Sequence, residues 1–197
     1  MVNRNDLRVV KTMDAIHTAF EDMIRETDYG NISVTELCRR ARINKKTFYR
    51  YYASLDELFA EFQADMSSAY IEATKDFQLP RDIPQVTRAF FEFLESNPVY
   101  SRITCAPAYR SAQQSLTDTV VDSHWHKSDA LEHATTPERT VILAFVRTVG
   151  VEIYRQWVAD GRKVPLERII EMTSVLQSNG LNGLLPPDTE TIDAASR

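Results

Sequence analysis

Ser33 to Tyr52, SVTELCRRARINKKTFYRYY, is the stretch whose reading decides the fold. Ser33 followed three residues later by Glu36 has the form of a capping box. Val34, Leu37, Cys38 and Ala41 then recur at helical spacing, which predicts a helix of about two turns. Asn44 is a good N-cap for a second short helix over Lys45 to about Tyr51, because its side-chain oxygen can accept from a free backbone N–H. Only Arg42 to Asn44 separate the two, the connection length of a helix-turn-helix. Phe48 and Tyr52, four apart, face inward and anchor the second helix.

Charge gives this helix pair a partner class. Between Glu36 and Asp56 stand Arg39, Arg40, Arg42, Lys45, Lys46 and Arg50 with no acidic residue, in a protein of formal net charge −5. A local positive face on an acidic protein points to a polyanion. Lys45, Lys46 and Arg50 suit phosphates or guanine edges, Thr47 a phosphate or thymine methyl, and Tyr49 and Tyr51 are aromatic hydrogen-bonding groups. Ser33 and Thr35 are placed to reach phosphates. Charge alone is equally a solvated face; the ordered spacing of caps, anchors and cations favours duplex DNA.

The run VTELCRRARINKKTFYRYYASLDELF resembles the N-terminal signature of the TetR/AcrR-like family of one-component bacterial regulators. Val34, Leu37, Ala41, Ile43, Thr47, Phe48, Tyr49, Tyr51, Ser54, Glu57 and Leu58 carry the match in unbroken register. With the first helix, the resemblance covers roughly a third of the chain. It implies a homodimeric regulator, a repressor that binds a pseudo-palindromic double-stranded operator and is released by a small-molecule effector. Two recognition helices related by a two-fold axis would read mirrored half-sites.

Three departures from the family pattern matter. Arg42 replaces the usual turn glycine, so the turn either holds a non-glycine residue in a left-handed conformation, at about 1 kcal/mol, or uses another geometry. Lys46 replaces a second common glycine and adds a cation. Leu55 replaces a lysine that in the family touches the DNA backbone. These departures keep alive a TetR-like co-activator or heterodimer subunit acting through a protein partner.

The remaining chain reads as helix throughout. Five glycines in 197 residues and no sustained strand-like alternation favour an all-α fold of about nine helices. Val9, Val10, Met13, Ile16, Phe20, Met23 and Ile24 mark a first helix over 4–27 that closes a three-helix core, with His17 at its boundary. Ser54 and Glu57 form a second capping box for a long helix to about Phe77. At 1.5 Å per residue, about 24 residues span roughly 35 Å. Pro80 and Pro84 interrupt the pattern. The expected organisation is a helix-turn-helix domain over 1–53, a connecting helix over 54–78, an effector-binding and dimerisation domain over 79–182, and a loose tail over 183–197.

Within the third segment helices are expected near 82–96, 98–105, 107–129, 137–160 and 165–179, the fourth with Thr136 as N-cap and Pro137 at its first position. Val149, Ile153 and Trp157, with Ile169, Ile170, Thr173 and Leu176, give the last two helices apolar faces; the family resemblance implies that they pair with a second subunit. Met66, Tyr70, Phe90, Phe93, Tyr109, Trp125 and Phe145 are candidates for lining an apolar effector pocket, or for ordinary core.

Other function classes find little support. His124 and His126, with His133, Asp122, Asp129 and Glu132, form the densest polar cluster, yet rings two apart on a helix point about 200° from each other, which opposes metal chelation. The cluster is also what an enzymatic reading would use as acid–base groups. No phosphate-cradling glycine loop, nucleophile elbow or His-Glu-x-x-His motif occurs. No cofactor, metal or catalytic activity is expected. Cys38 and Cys105 are too few for a disulfide framework, and Cys38 sits at an apolar helical position. No apolar run approaches the ~18–20 residues that span a bilayer, and MVNRNDLR lacks a signal-peptide core, so the expected location is cytoplasmic.

Overall fold

The computed structural model describes residues 7–107, 110–125, 128, 131–132 and 134–185. Among the described residues it is all-helical. The helices are α1 (Leu7–Glu26), α2 (Val34–Arg40), α3 (Lys45–Tyr51), α4 (Leu55–Thr74), α5 (Ile83–Ser96), α6 (Pro98–Cys105), α7 (Arg110–Trp125), α8 (Thr136–Ala159) and α9 (Leu166–Asn182), with a 3₁₀ turn at Tyr29–Asn31. Each expected helix is present; the expected ends at 4–6 and at 126, 127 and 129 lie outside the described residues, and the other ends differ by a few residues at most.

The caps show how local chemistry sets these ends. Ser33 Oγ accepts from Glu36 N–H at 3.2 Å, and Asn44 Oδ1 accepts from Thr47 N–H at 2.8 Å. Ser54 Oγ accepts from Glu57 N–H at 3.1 Å, while the Glu57 carboxylate reaches back to Ala53 N–H. At α8 the cap is Thr135, one residue before the expected Thr136. The Glu138 carboxylate accepts from Thr135 N–H at 2.8 Å and from its hydroxyl at 2.6 Å, and these bonds hold it below the usual carboxylate range. A reciprocal Thr–Glu pair needs a spacing of three, which Thr135 satisfies and Thr136 does not. Pro165 is likewise the N-cap of α9 rather than its first residue.

The chain divides into two compact units, Met1–Ser68 with Ser96–Leu116, and Ala69–Glu95 with Thr117–Arg197. In the first, Ile16, Phe20, Met23 and Ile24 of α1, Leu37 and Cys38 of α2, Phe48 of α3, and Leu58 and Phe59 of α4 are all buried, with α2 packed on both α1 and α3. Phe20 meets the rings of Phe59 and Phe62 edge-on at 6.1 and 6.3 Å. Helix α6 also packs on α1: Val99 and Ile103 are fully buried, Tyr100 meets Phe62 at 5.9 Å, and Arg102 reaches Asp28 at 3.2 Å. This α6 support is absent from the expected division at 53 and 78, because it joins segments far apart in sequence.

Among the described residues of the second unit, two apolar groups stand out. Ile83, Val121, Trp125, Leu131, Ile142, Leu181 and Leu185 form one, with Phe145 packed against it. The other is aromatic: Phe91 meets Tyr154 at 5.4 Å and Trp157 at 6.1 Å. Tyr154 hydroxyl donates to Glu95 at 2.7 Å, and Arg162 donates to the same carboxylate while lying 5.4 Å over the Trp157 ring. Helices α8 and α9 approach closely because Gly150 lies beside Gln177 and Gly180 beside Phe145.

Candidate nucleic-acid interface

The turn between α2 and α3 closes on Arg42, whose φ of 55° is left-handed. Ile43 N–H bonds back to Cys38 O at 3.0 Å, and Ala41 N–H to Leu37 O at 2.9 Å. The six-to-one bond is that of a Schellman stop, normally made by glycine. Arg42 therefore keeps the glycine's backbone shape and bears its steric cost.

From this turn, α3 presents one face to the core and another to solvent. Phe48 and Tyr52 are buried, and Tyr52 hydroxyl lies 2.7 Å from His17 Nε2. Lys45, Lys46, Tyr49 and Arg50 are exposed, while Thr47 and Tyr51 are half-buried. Thr47 hydroxyl donates to Asn44 Oδ1 at 3.0 Å, so its proton is committed to the cap and its methyl and lone pairs remain for a ligand. Ser33 and Thr35 are exposed, and the Ser33 hydroxyl proton is left available because its oxygen serves the cap as acceptor.

The basic residues separate into two groups. Arg39 donates to Glu36 at 2.6 and 2.8 Å; Arg40 pairs with Glu36 at 2.8 Å and Glu26 at 2.7 Å. These guanidiniums hold Glu36 down at about 2. Arg42, Lys45, Lys46 and Arg50 have no carboxylate partner among the described residues. Arg39 and Arg40 lie three and four residues after Glu36 on the same helix, and Glu26 adds a second partner for Arg40 from α1.

Local geometry and a family match now coincide. Residues 16–62 match the model for bacterial regulatory proteins of the tetR family. Over this segment the chain resembles tetR-family regulators. Over 54 residues it is 41% identical to the uncharacterized HTH-type transcriptional regulator YxbF of Bacillus subtilis, covering 27% of this chain and 14% of that protein. Over 74 residues it is 32% identical to the HTH-type dhaKLM operon transcriptional activator DhaS of Lactococcus lactis, covering 34% and 40%. The match thus spans less than half the length of either curated relative. The TetR-like fold extends further: a TetR transcriptional regulator from Streptococcus agalactiae superposes with a TM-score of 0.69 at 19% identity, over 87% of this chain and 96% of that one.

Of the pocket candidates, Tyr70, Phe90 and Phe93 meet in the second unit, Tyr70 lying 6.3 and 5.4 Å from the two phenyl rings. Tyr70 is buried, its hydroxyl donates to Val86 O at 3.2 Å, and burial pushes its acidity down. Trp125 and Phe145 belong to the Ile83–Leu185 cluster of the second unit, and Met66 is buried in the first unit. Tyr109 lies outside the described residues. Cys38 is buried and its thiol is pushed up by that burial, as expected of a packed hydrophobe.

Of the interface candidates, Trp157, Ile169, Ile170 and Thr173 are buried within the chain, Val149 and Ile153 are half-buried, and Leu176 is 55% exposed. The apolar side chains that α9 leaves exposed are Met172, Val175 and Leu176. Helix α9 is apolar around most of its circumference, so periodicity alone could not tell its core side from its outer side. His124 Nε2 lies 2.8 Å from Thr74 Oγ1, and its Nδ1 lies 2.9 Å from Val120 O. Asp122 pairs with Arg147 at 2.8 Å, and Glu132 is exposed. His126, Asp129 and His133 lie outside the described residues.

Proposed function

We propose that this chain is a homodimeric one-component transcriptional regulator that represses from a pseudo-palindromic operator and releases it on binding a small effector. The observation that carries the reading is α3: exposed Lys45, Lys46, Tyr49 and Arg50 stand over the buried Phe48 and Tyr52, inside a tetR-family match. Unpaired cations on a rigid short helix supply both phosphate attraction and base-edge contact. Ser33 and Thr35 add phosphate contacts from α2, and Thr47 and Tyr51 add apolar or hydroxyl contacts at the edge of α3.

Dimerisation uses the outer side of α9, where Met172, Val175 and Leu176 form an exposed apolar stripe, with Val141 and Ala144 exposed on α8. The effector is an apolar small molecule held in the second unit beside Tyr70, Phe90 and Phe93, where two of three rings are half-buried. An effector that shifts operator affinity by about 1–3 kcal/mol changes occupancy 5- to 150-fold.

The test is a salt titration of binding to duplexes selected from genomic DNA, comparing wild type with Lys45→Ala and Tyr49→Phe. Expected is tight, sequence-selective binding that weakens steeply with salt and is reduced in both variants. Weak binding indifferent to sequence and to both substitutions would overturn it and direct attention to a protein partner. Similarity to an operon activator makes a reporter assay with the selected duplex the measure of the sign of regulation.

A further inference from the structure

Beside the helix-turn-helix lies an open groove of about 390 Å³, lined by Leu7, Arg8, Lys11, Thr12 and Ala15 of α1 and by Ala41 and Ile43, the residues on either side of Arg42. One wall is thus the first turns of α1, the other the left-handed turn. Lys11 and Arg42 are exposed, and neither has a carboxylate partner among the described residues. Arg39 and Arg40, one turn earlier, are tied to Glu36 and Glu26 and are poorly placed to bind an anion without breaking those pairs.

The backbone at Arg42 strengthens the case. At φ 55° glycine fits without strain, and an arginine there is disfavoured by the contact of its Cβ with the neighbouring carbonyl. Folding alone does not require the arginine. A planar, permanently charged fork at this point makes physical sense if it meets a phosphate outside the protein.

We infer that Lys11, which lines this groove, and the exposed Arg42, which stands in the chain between the lining residues Ala41 and Ile43, hold backbone phosphate of duplex DNA, forming a contact edge separate from the α3 face. This rests on the DNA-binding reading. It adds α1 to the interface, and it assigns Arg42 a positive role that offsets the strain at the turn. The contact is to backbone and carries no base preference, so its loss weakens all duplexes alike.

The experiment is the dependence of duplex affinity on salt for the full chain, with Arg42→Gly, Arg42→Lys, Lys11→Gln and the double variant Arg42→Gly/Lys11→Gln. Lys163→Gln, in the second unit, controls for loss of charge alone. Each of Arg42→Gly and Lys11→Gln is expected to shrink the slope of log affinity against log salt by about 0.9, and the double variant by about twice that. Arg42→Gly is also expected to raise the thermal midpoint, so its weaker binding is not a folding defect; Arg42→Lys restores the slope without raising the midpoint. Unchanged slopes in both single variants, or a change in only one, overturn the paired site while leaving the α3 interface standing. Wild type that binds no duplex in a salt-dependent way overturns both readings together.

Discussion

Tyr52, the C-cap of α3, meets His17 in the middle of α1, hydroxyl oxygen to Nε2, at 2.7 Å across 35 positions of sequence. Phe48 packs against the same ring at 5.8 Å, and the hydrogen bond ties the C-terminal end of α3 to α1. Tyr52→Phe keeps the ring and removes the bond. Urea denaturation should show a loss of about 0.5–1.5 kcal/mol, and unaltered stability would show that the bond contributes nothing net.

Glu36 couples folding to acid. Arg39 and Arg40 hold it down at about 2 from an ordinary 4.5. A lowered folded value means that its contribution is complete above 4.5 and is lost as pH falls toward 2. Glu36→Gln should therefore flatten the decline in thermal midpoint across that window and lower the midpoint at neutral pH. The site is open to solvent, so both effects should shrink in high salt.

Gly180 makes room for the Phe145 ring. A Cβ built on residue 180 would stand 2.8 Å from Phe145 Cζ. Helix propensity alone favours Gly180→Ala by about 1 kcal/mol, whereas overpacking costs about 1–3 kcal/mol. Gly180→Val, with more bulk and weaker propensity, should be clearly destabilising in chemical unfolding, and Phe145→Ala should relieve part of the loss. A double-mutant cycle with no coupling would show that the ring swings aside freely.

Leu176 tests the proposed dimer without disturbing the chain's own core. Its side chain is 55% exposed beside Met172 and Val175. Leu176→Arg should leave the thermal transition of the monomer nearly intact, within about 0.5 kcal/mol, and shift sedimentation from dimer to monomer. Ile170→Arg, at a position 2% exposed, should instead unfold the protein. A Leu176→Arg protein that remains dimeric would place the interface elsewhere.

The sequence by itself determined the features written over three to seven consecutive residues. Ser33, Asn44 and Ser54 each cap the helix that follows, Phe48 and Tyr52 turn inward, and Arg42 takes the turn where the family has glycine. Such features depend on helical spacing and on bonds to the nearest free N–H groups, which a sequence displays directly. The pairing of Arg39 and Arg40 with Glu36 is local, whereas only the tertiary structure gave Arg40 its second partner, Glu26 from another helix. It also decided that α6 joins the N-terminal unit through Val99, Ile103 and Arg102, and that Ile170 and Leu176, both apolar on one helix, face opposite environments. Those outcomes depend on contacts between distant segments and on which side of an apolar helix finds a neighbour first, and no local pattern encodes either.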